Sequence, residues 1–300
     1  MPSSLDLLGG VVGVSDVAIL GDQLYALVVG GGGSHGNPDQ PAGLYRVYAD
    51  GSYEVVVDLG AWRQANPVAH PAEIEPDGQW YGMVAAPDGS ALWIVESNGG
   101  QVLTVTPDGV ITRVADISQG HPVPTGIALA PEGGVYVGYL TAGPFVDGAS
   151  RVDQVAPDGT VSTVWTGLSM ITGIAVAPDG TLYAAEMATG DPASMEEPPF
   201  QPFTGRVVRQ TGPDSLEEVA TDMLFPANLR FGPDGGLYVA LPSVGANNGE
   251  GVILRLDPAT GTAIQMPAGP PPASDCAPIT PPPPPVTPAT GSPVAGTPAA

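Results

Sequence analysis

A short phrase that returns four times constrains the fold of this chain more than any other feature. Its proline recurs after 44, 47 and 55 residues, at positions 87, 131, 178 and 233. A period of this length is typical of a propeller or another repeat array. The copies occupy residues 82–93 (GMVAAPDGSALW), 126–137 (GIALAPEGGVYV), 173–184 (GIAVAPDGTLYA) and 228–239 (NLRFGPDGGLYV), and residues 16–26 form a degenerate fifth copy.

Each phrase predicts a β-hairpin, because an apolar run leads into Pro-Asp-Gly or Pro-Glu-Gly and a second apolar run leads out. Proline cannot donate to a strand ladder, and glycine accepts the positive φ of a tight turn. A second hairpin follows each phrase, so the repeat is a four-stranded unit. The second hairpins are predicted at residues 43–58, 100–116, 151–166, 205–221 and 251–265.

The predicted fold is therefore an all-β propeller of four-stranded antiparallel blades. No window keeps an apolar stripe at helical spacing for three turns, and 36 Pro and 42 Gly interrupt the chain throughout. Small residues such as those of Gly-Ile-Ala-Leu-Ala suit the crowded inner strands of a propeller. The five blades are expected at residues 14–60, 81–117, 124–168, 171–223 and 227–266.

Several stretches resemble NHL-like propellers and, more narrowly, proteins of the ScyD/ScyE family from the scytonemin gene cluster. The resemblance covers roughly residues 5–266. It implies an extracellular propeller but no assigned reaction. The stretches are residues 15–29 (SDVAILGDQLYALVV), 59–83, 124–145 (PTGIALAPEGGVYVGYLTAGPF), 174–187 and 225–242.

The chain departs from that family at its beginning. Members resemble six-bladed propellers that start with a secretory signal and a first blade, and neither is recognisable here. Residues 4–10 resemble the segment after such a blade, so Met1 is interpreted as an internal start or a truncation. Five blades with six-fold curvature would leave a gap between residues 14–60 and 227–266, and the apolar surface exposed there predicts self-association.

Residues 267–300 consist mainly of Pro, Ala, Thr, Gly and Ser and predict a disordered tail. This tail and the family resemblance favour an extracellular or cell-envelope location. The single cysteine, Cys276, lies in the tail, so neither an internal disulfide nor a cysteine-based zinc site is expected.

The net charge of the chain disfavours some classes of binding partner. Acidic residues number 31 against eight basic ones, for a formal net charge of −23. Nucleic acids and anionic membranes require clusters of Lys or Arg, so neither is an expected partner. No apolar run is long enough to predict membrane insertion. A small molecule, a polysaccharide or a protein bound at one propeller face is expected instead, and the oligomeric state stays open.

A divalent cation on the propeller axis is the main candidate for a cofactor, as in lactonase-type propellers of the senescence-marker-protein group. Oxygen donors would favour calcium. Only one carboxylate and one amide occur at the expected level, which is too few for a metal site, so no cofactor is expected and calcium or another divalent cation is the alternative. The candidate ligand-binding residues at the channel mouth are Ser15, Asp16, Thr125, Thr172 and Asn228.

The other chemical motifs favour structural interpretations. Residues 31–36 (GGGSHG) match two glycine-rich motifs, but both require a following helix, which Pro38 and Pro41 disfavour. The three histidines are expected in solvated loops without metal spacing. Glu96 and Glu186 end second strands at matching positions, where a carboxylate is expected to bind the adjoining loop.

Two functions remain open from the sequence. The first is a non-catalytic extracellular propeller that binds its ligand through loops on one face. The second is a metal-dependent lactonase or hydrolase that acts at the axis. Several acidic or amide ligands converging at one end of the channel would favour the second.

Overall fold

The computed structural model describes residues 1–5, 11–72, 74–190, 201–244 and 251–267. These residues form five four-stranded antiparallel sheets, and each sheet is built from four consecutive strands. A short hairpin of β1 (Ser4–Leu5) and β2 (Val11–Val12) precedes the first sheet. The predicted all-β propeller of four-stranded blades is therefore confirmed. The predicted tail at residues 267–300 lies almost wholly outside the described residues.

Each blade runs from an inner strand outward in chain order. The first blade contains β3 (Val14–Leu20), β4 (Gln23–Val28), β5 (Gly43–Val47) and β6 (Tyr53–Asp58), and the second contains β7 (Trp80–Ala85), β8 (Leu92–Glu96), β9 (Gln101–Val105) and β10 (Ile111–Asp116). The third contains β11 (Pro124–Leu129), β12 (Val135–Tyr139), β13 (Ser150–Val155) and β14 (Val161–Leu168). The fourth contains β15 (Ile171–Val176), β16 (Leu182–Glu186), β17 (Gly205–Gly212) and β18 (Ser215–Met223), and the fifth contains β19 (Asn228–Phe231), β20 (Leu237–Leu241), β21 (Val252–Leu256) and β22 (Ala263–Gln265).

The Pro-Asp-Gly and Pro-Glu-Gly turns join the first and second strands of blades two to five, as predicted. In the second blade Gly89 takes a φ of 73°, and the Asp88 carboxylate accepts hydrogen bonds from the Ser90 amide (3.0 Å) and hydroxyl (2.7 Å). Such a turn is stabilised by its own residues. All turns of this kind lie at one end of the inner strands, which we call the turn face.

The opposite end of the inner strands carries the longer connections and is called the loop face. The described residues of these connections include 29–42, 59–72, 74–79, 140–149, 187–190 and 201–204. One of them contains a helix, α1 (Leu59–Ala65), which the sequence analysis did not expect. The Asp58 carboxylate caps it by accepting a hydrogen bond from the Ala61 amide at 2.8 Å. With only seven residues, α1 is too short to show an apolar stripe. It is the one α-helix among the described residues, and it is too short to cross a membrane.

The hydrophobic core lies between consecutive blades. Met83 on β7 packs with Leu27 and Leu44 of the first blade, and Ile174 on β15 packs with Tyr136 of the third. The inner strand of each of blades two to five thus presents one buried aliphatic residue to the blade before it. These residues are Met83, Ile127, Ile174 and Leu229, all at most 1% exposed.

The first blade lacks such cover. Val17 stands at the equivalent position of β3 and is 56% exposed. At the other end of the series, the second-strand tyrosine of the fifth blade, Tyr238, is only half-buried, although the equivalent aromatic residues of the other blades are buried. The facing sheets of the first and fifth blades are therefore open among the described residues. The truncation, which was inferred from the lack of a recognisable secretory signal and first blade, stays a prediction.

Candidate functional site

One repeat position lies near the loop-face end of every inner strand, and it is glycine in three blades and a polar residue in the other two. Blades two, three and four have glycine there, namely Gly82, Gly126 and Gly173, and each glycine lies against the next inner strand. A Cβ at Gly173 would lie 2.7 Å from the Leu229 amide nitrogen. Asp16 and Asn228 hold the same position in the first and fifth blades, and the Asp16 side chain accepts a hydrogen bond from the next inner strand.

Asp16 is almost fully engaged by the scaffold. Its Oδ1 accepts a hydrogen bond from the Val17 amide at 2.9 Å, and its Oδ2 accepts one from the Met83 amide of the next blade at 2.9 Å. Oδ2 also accepts a hydrogen bond from Arg230 at 2.9 Å. The Asp16 side chain is 8% exposed. Burial raises the pKa of its carboxyl group, and the Arg230 charge opposes that rise.

Arg230 joins the first and last blades across the end of the axis. One terminal nitrogen donates to Asn228 Oδ1 at 2.9 Å and to the Leu229 carbonyl at 3.0 Å. The other donates to Asp16 Oδ2 at 2.9 Å and lies 3.4 Å from the Met83 carbonyl. The equivalent inner-strand residues of the other blades are small or aliphatic, namely Ala18, Val84, Ala128 and Ala175.

Tyr81 completes this group, which we call the axial cluster: Asp16, Tyr81, Asn228 and Arg230. Burial raises the pKa of the Tyr81 hydroxyl to about 12, and the nearby Asp16 charge adds to the rise. Tyr81 lies at the inner-strand bulge of the second blade. The structure thus brings together two of the five candidates from the sequence, Asp16 and Asn228, through an arginine that the sequence analysis did not select.

The other three candidates lie at blade joints or within one blade. The Thr125 hydroxyl donates to the Ile171 carbonyl of the next blade at 2.5 Å. The Thr172 hydroxyl donates to the Pro226 carbonyl at 2.7 Å, and the Ser15 hydroxyl donates to the Leu27 carbonyl of its own blade at 3.2 Å. These hydroxyl groups hold backbone segments together, and among the described residues none of them forms a hydrogen bond with a side chain of the axial cluster.

Glu96 and Glu186 bind the adjoining loops, which confirms their structural interpretation. Glu96 is fully buried and accepts hydrogen bonds from the amides of Gln79 (3.2 Å), Asn98 (3.1 Å) and Gly99 (2.7 Å). Glu186 accepts one from the Ser169 amide at 2.6 Å and pairs with Arg206. Burial raises the pKa of Glu186, and the Arg206 charge opposes the rise.

The glycine-rich loop forms a 3-10 turn at Gly33–His35 rather than a helix start. Ser34 donates its hydroxyl to Asp77 Oδ2 at 2.5 Å. His35 Nδ1 lies 3.0 Å from the Gly31 carbonyl, which only accepts, so the ring proton belongs on Nδ1. The histidine therefore does not accept the serine proton, and neither glycine-rich motif is followed by the helix that its function requires.

The expectation of solvated histidines is wrong for His35. Its side chain is buried, and Nε2 faces Glu75 Oε1 at 4.0 Å without a hydrogen-bond partner. His70 is exposed and His121 is half-buried, both on loop-face connections. Among the described residues, no group of three or more His, Cys, Asp or Glu side chains could hold a metal ion.

The chain matches no protein-family model and no curated protein sequence. It is similar in structure to several β-propellers, at identities that support the fold alone. A chain of the nidogen/laminin complex aligns with a TM-score of 0.57 and 12% identity, over 84% of this chain and 78% of that one. A gluconolactonase from Xanthomonas campestris aligns with a TM-score of 0.55 and 14% identity, over 88% and 84%. Virginiamycin B lyase from Staphylococcus aureus aligns with a TM-score of 0.52 and 14% identity, over 87% and 71%.

These neighbours are NHL-like and senescence-marker-protein-like propellers, and they include a chain of a protein complex as well as enzymes. The likeness supports this architecture and does not choose between binding and catalysis. That choice depends on the residues of the chain itself.

Proposed function

We propose that this protein is a non-catalytic binding module that takes its ligand on the loop face. One observation carries the proposal: the oxygen atoms of Asp16, the sole carboxylate of the axial cluster, already accept hydrogen bonds from two backbone amides and from Arg230. The Arg230 guanidinium group therefore already neutralises the carboxylate that a bound cation would need as a ligand. The axial cluster serves to connect blades rather than to present free ligands.

The two faces of the propeller support the choice of the loop face. Turns on the turn face are short and stabilised by their own aspartates, as at Asp88 and Asp158. Connections on the loop face are longer, and binding residues of rigid scaffolds concentrate on such loops. Exposed apolar side chains also project from loop-face connections of four blades, namely Ile74, Val146, Phe203 and Val244.

This set of side chains favours a ligand with apolar or ring-shaped surfaces. Phe203 is 60% exposed, and an aromatic ring on a surface loop offers contact area to a sugar ring, an aromatic small molecule or a protein side chain. The net charge of −23 disfavours polyanions. A neutral polysaccharide, an apolar small molecule or a protein segment is the proposed ligand class.

A metal-dependent lactonase is the second candidate, supported by the structural likeness to a gluconolactonase and by the meeting of Asp16 and Asn228 at one end of the axis. The residues present fit a divalent cation poorly. Calcium takes six to eight oxygen ligands, whereas Asp16 Oδ2 and Asn228 Oδ1 both face the positive charge of Arg230.

An extracellular or cell-envelope location is part of the proposal, together with membership of the ScyD/ScyE group. Support for both comes from the sequence stretches within residues 15–242 and from the Pro/Thr-rich composition of residues 267–300. Fractionation of cells that express the natural gene with a C-terminal tag tests the location. Recovery of the protein in the cytosolic fraction alone would contradict it.

Two measurements test the function. Titration with calcium and manganese, followed by thermal unfolding, is expected to leave the melting temperature unchanged, and hydrolysis of gluconolactone is expected to stay at background. Metal-dependent stabilisation or lactone hydrolysis that disappears in Asp16→Ala would favour the lactonase instead.

The binding itself is tested with immobilised neutral polysaccharides, apolar small molecules and peptides as probes. Phe203→Ser is expected to weaken binding to the probe that is retained. Val110→Ser is the matched control, because Val110 is exposed on the turn face. Equal loss in the two variants, or retention of no probe, would contradict a loop-face site.

A further inference from the structure

His35 is a buried histidine whose two ring nitrogens have different surroundings. Its ring lies in the glycine-rich connection between β4 and β5 and is 3% exposed. Nδ1 lies 3.0 Å from the Gly31 carbonyl oxygen and 3.3 Å from the Ser34 hydroxyl oxygen. The Ser34 hydroxyl proton is donated to Asp77, so both oxygens can only accept a proton from Nδ1. In the neutral ring Nε2 is therefore a bare acceptor, and it is buried without a hydrogen-bond partner.

Nε2 of this ring faces a second acceptor, the Glu75 carboxylate. The distance from Nε2 to Glu75 Oε1 is 4.0 Å, and the Glu75 side chain is 16% exposed. The other carboxylate oxygen, Oε2, accepts hydrogen bonds from the Gln79 side chain and from Asn98 Nδ2 at 2.9 Å. When His35 is neutral, a lone pair and a carboxylate oxygen face each other at a buried position, which is unfavourable. A proton on Nε2 converts the same contact into a charge-assisted hydrogen bond.

The turn that carries Glu75 is fixed by its own backbone. Glu75 takes a φ of 44°, a left-handed conformation that is costly for a residue other than glycine. The Gly78 amide donates to the Glu75 carbonyl oxygen at 2.8 Å and closes the turn. A costly conformation persists where surrounding contacts compensate for it. The carboxylate is therefore held towards His35 by the turn as well as by its two side-chain donors.

The charged groups around the ring favour an added proton. Three carboxylates lie on the segments packed around it, namely those of Glu75, Asp77 and Glu96. The cation among them is Arg63 of α1, which pairs with Glu96 at 3.4 Å and donates to the backbone carbonyl of Glu75 at 3.3 Å. In the described part of the chain, no arginine lies within 4.0 Å of the Glu75 carboxylate. One guanidinium group against three carboxylates leaves an excess of negative charge, which an imidazolium at His35 reduces.

We propose that His35 and Glu75 form a proton-dependent latch between two loop-face connections, the glycine-rich one within the first blade and the one that leads to the second blade. At mildly acidic pH the ring takes a proton from solvent, and Nε2 donates to Glu75 Oε1 after an approach of about 1 Å. As the pH rises, the ring loses this proton and the contact becomes repulsive. The hydrogen bonds from Ser34 to Asp77 remain, so the two connections loosen without separating.

Nitrogen-15 NMR of the histidine rings in the full chain tests the protonation of His35. His70 is exposed and serves as the internal control, and His35→Asn identifies the signals of His35. We expect His35 to keep both ring nitrogens protonated at pH values where His70 is already neutral. At higher pH its ring is expected to carry the proton on Nδ1. A His35 ring that becomes neutral together with His70 or before it overturns the proposal, and so does a neutral ring protonated on Nε2.

Thermal unfolding at about pH 5.5 and about pH 8, on either side of the ordinary range of histidine, tests the hydrogen bond itself. The latch stabilises the protonated form alone, so its contribution is present at acidic pH and is lost as the pH rises. Glu75→Gln is therefore expected to lower the melting temperature by at least about 3 °C at the acidic pH and by less than about 1 °C at the alkaline pH.

Ser34→Ala is the matched control, because it removes the other contact between the same two connections. It is expected to lower the melting temperature by a similar amount at both pH values. Equal losses at the two pH values in Glu75→Gln overturn the latch, and so does a larger loss at alkaline pH. The NMR signals of the wild-type ring decide the proposal even if Glu75→Gln does not fold.

Discussion

The joint between the third and fourth blades and the opening between the fifth and first blades use the same repeat positions in different ways. At the closed joint, Gly126 lies against the backbone of β15, and the Thr125 hydroxyl bonds the Ile171 carbonyl. At the opening, Asn228 and Arg230 replace small residues, and one arginine reaches Asp16. Close packing stabilises the closed joint, whereas hydrogen bonds between polar and charged groups connect the two blades at the opening. Water and salt weaken such hydrogen bonds more than they weaken close packing, so the opening is expected to be the less stable of the two contacts.

The largest expected effect comes from breaking a closed joint. Gly173→Ala places a Cβ 2.7 Å from the Leu229 amide nitrogen and 2.9 Å from Asn228 Cα, and both atoms belong to backbone. We expect a loss of about 3 kcal/mol in the free energy of unfolding, measured by denaturant titration. Gly33→Ala is the control, because nothing lies within 4 Å of its Cβ position. Similar losses in both variants would contradict close packing as the cause.

The opening is tested by Arg230→Met. This change leaves the buried Asp16 carboxylate with backbone amides alone, and we expect a loss of about 2 kcal/mol. The value is smaller than for a fully buried pair because the Arg230 side chain is 37% exposed. Arg255→Met removes an ion pair with Asp234 at an exposed turn and is expected to change stability by less than about 0.5 kcal/mol. Equal effects would show that the axial cluster contributes no more than a surface pair.

A smaller difference in stability is expected between variants that lose an inner-strand hydroxyl group at a blade joint and variants that lose one within a blade. Thr172→Val removes the donor to the Pro226 carbonyl at a blade joint, and we expect a loss of about 1 kcal/mol. Ser15→Ala removes a longer hydrogen bond within one blade, and we expect about 0.5 kcal/mol or less. Chemical denaturation of both variants measures the difference. A larger loss of stability in Ser15→Ala than in Thr172→Val would contradict the greater contribution of the hydroxyl group at the blade joint.

The smallest effect concerns the dependence of stability on pH. The pKa of Asp16 is raised in the folded protein, so the folded state holds this proton more tightly than the unfolded chain does. Stability from this group is present at acidic pH and decreases as the pH rises through the raised pKa. Asp16→Asn cannot ionise and avoids that loss. Its melting temperature relative to the wild type is therefore expected to increase from acidic to neutral pH.

Asp158 provides the opposite case for the same experiment. The Thr160 amide and hydroxyl lower the pKa of Asp158, so its contribution is present above the ordinary pKa and is lost as the pH falls through the lowered value. The melting temperature of Asp158→Asn relative to the wild type is expected to decrease from acidic to neutral pH. The same direction of change in both variants would contradict the difference between the axis and the turns.

Most of the fold was predictable because each blade repeats a local signal. The hairpin turns depend on residues adjacent in sequence, and so does the burial of Glu96 under its own loop. The axial cluster depends on contacts between residues 214 positions apart, as in the Arg230–Asp16 pair. Comparing equivalent positions would have shown Arg230 as the charged exception among Ala and Val. The partner of that charge depends on how the blades curve, which no single repeat contains.

Helix α1 was missed for a different reason. Seven residues cannot display a periodic stripe, and the signal for this helix is the single cap at Asp58. The buried His35 was also missed, because its position depends on Asp77 and Glu75, which lie in another connection of the loop face. Contacts between loops of different length carry no period, so sequence repetition does not reveal them.

The self-contained turns have a consequence for how the chain folds and how such chains diversify. Asp50, Asp88, Asp158 and Asp179 each accept the amide hydrogen two residues later, within the turn itself. Each of these hairpins therefore carries its own starting point for folding, which needs no distant segment. Folding can begin in several blades independently, and duplication or deletion of one blade leaves the remaining starting points in place. A propeller built this way can change its number of blades in one genetic step without losing its route to the folded state.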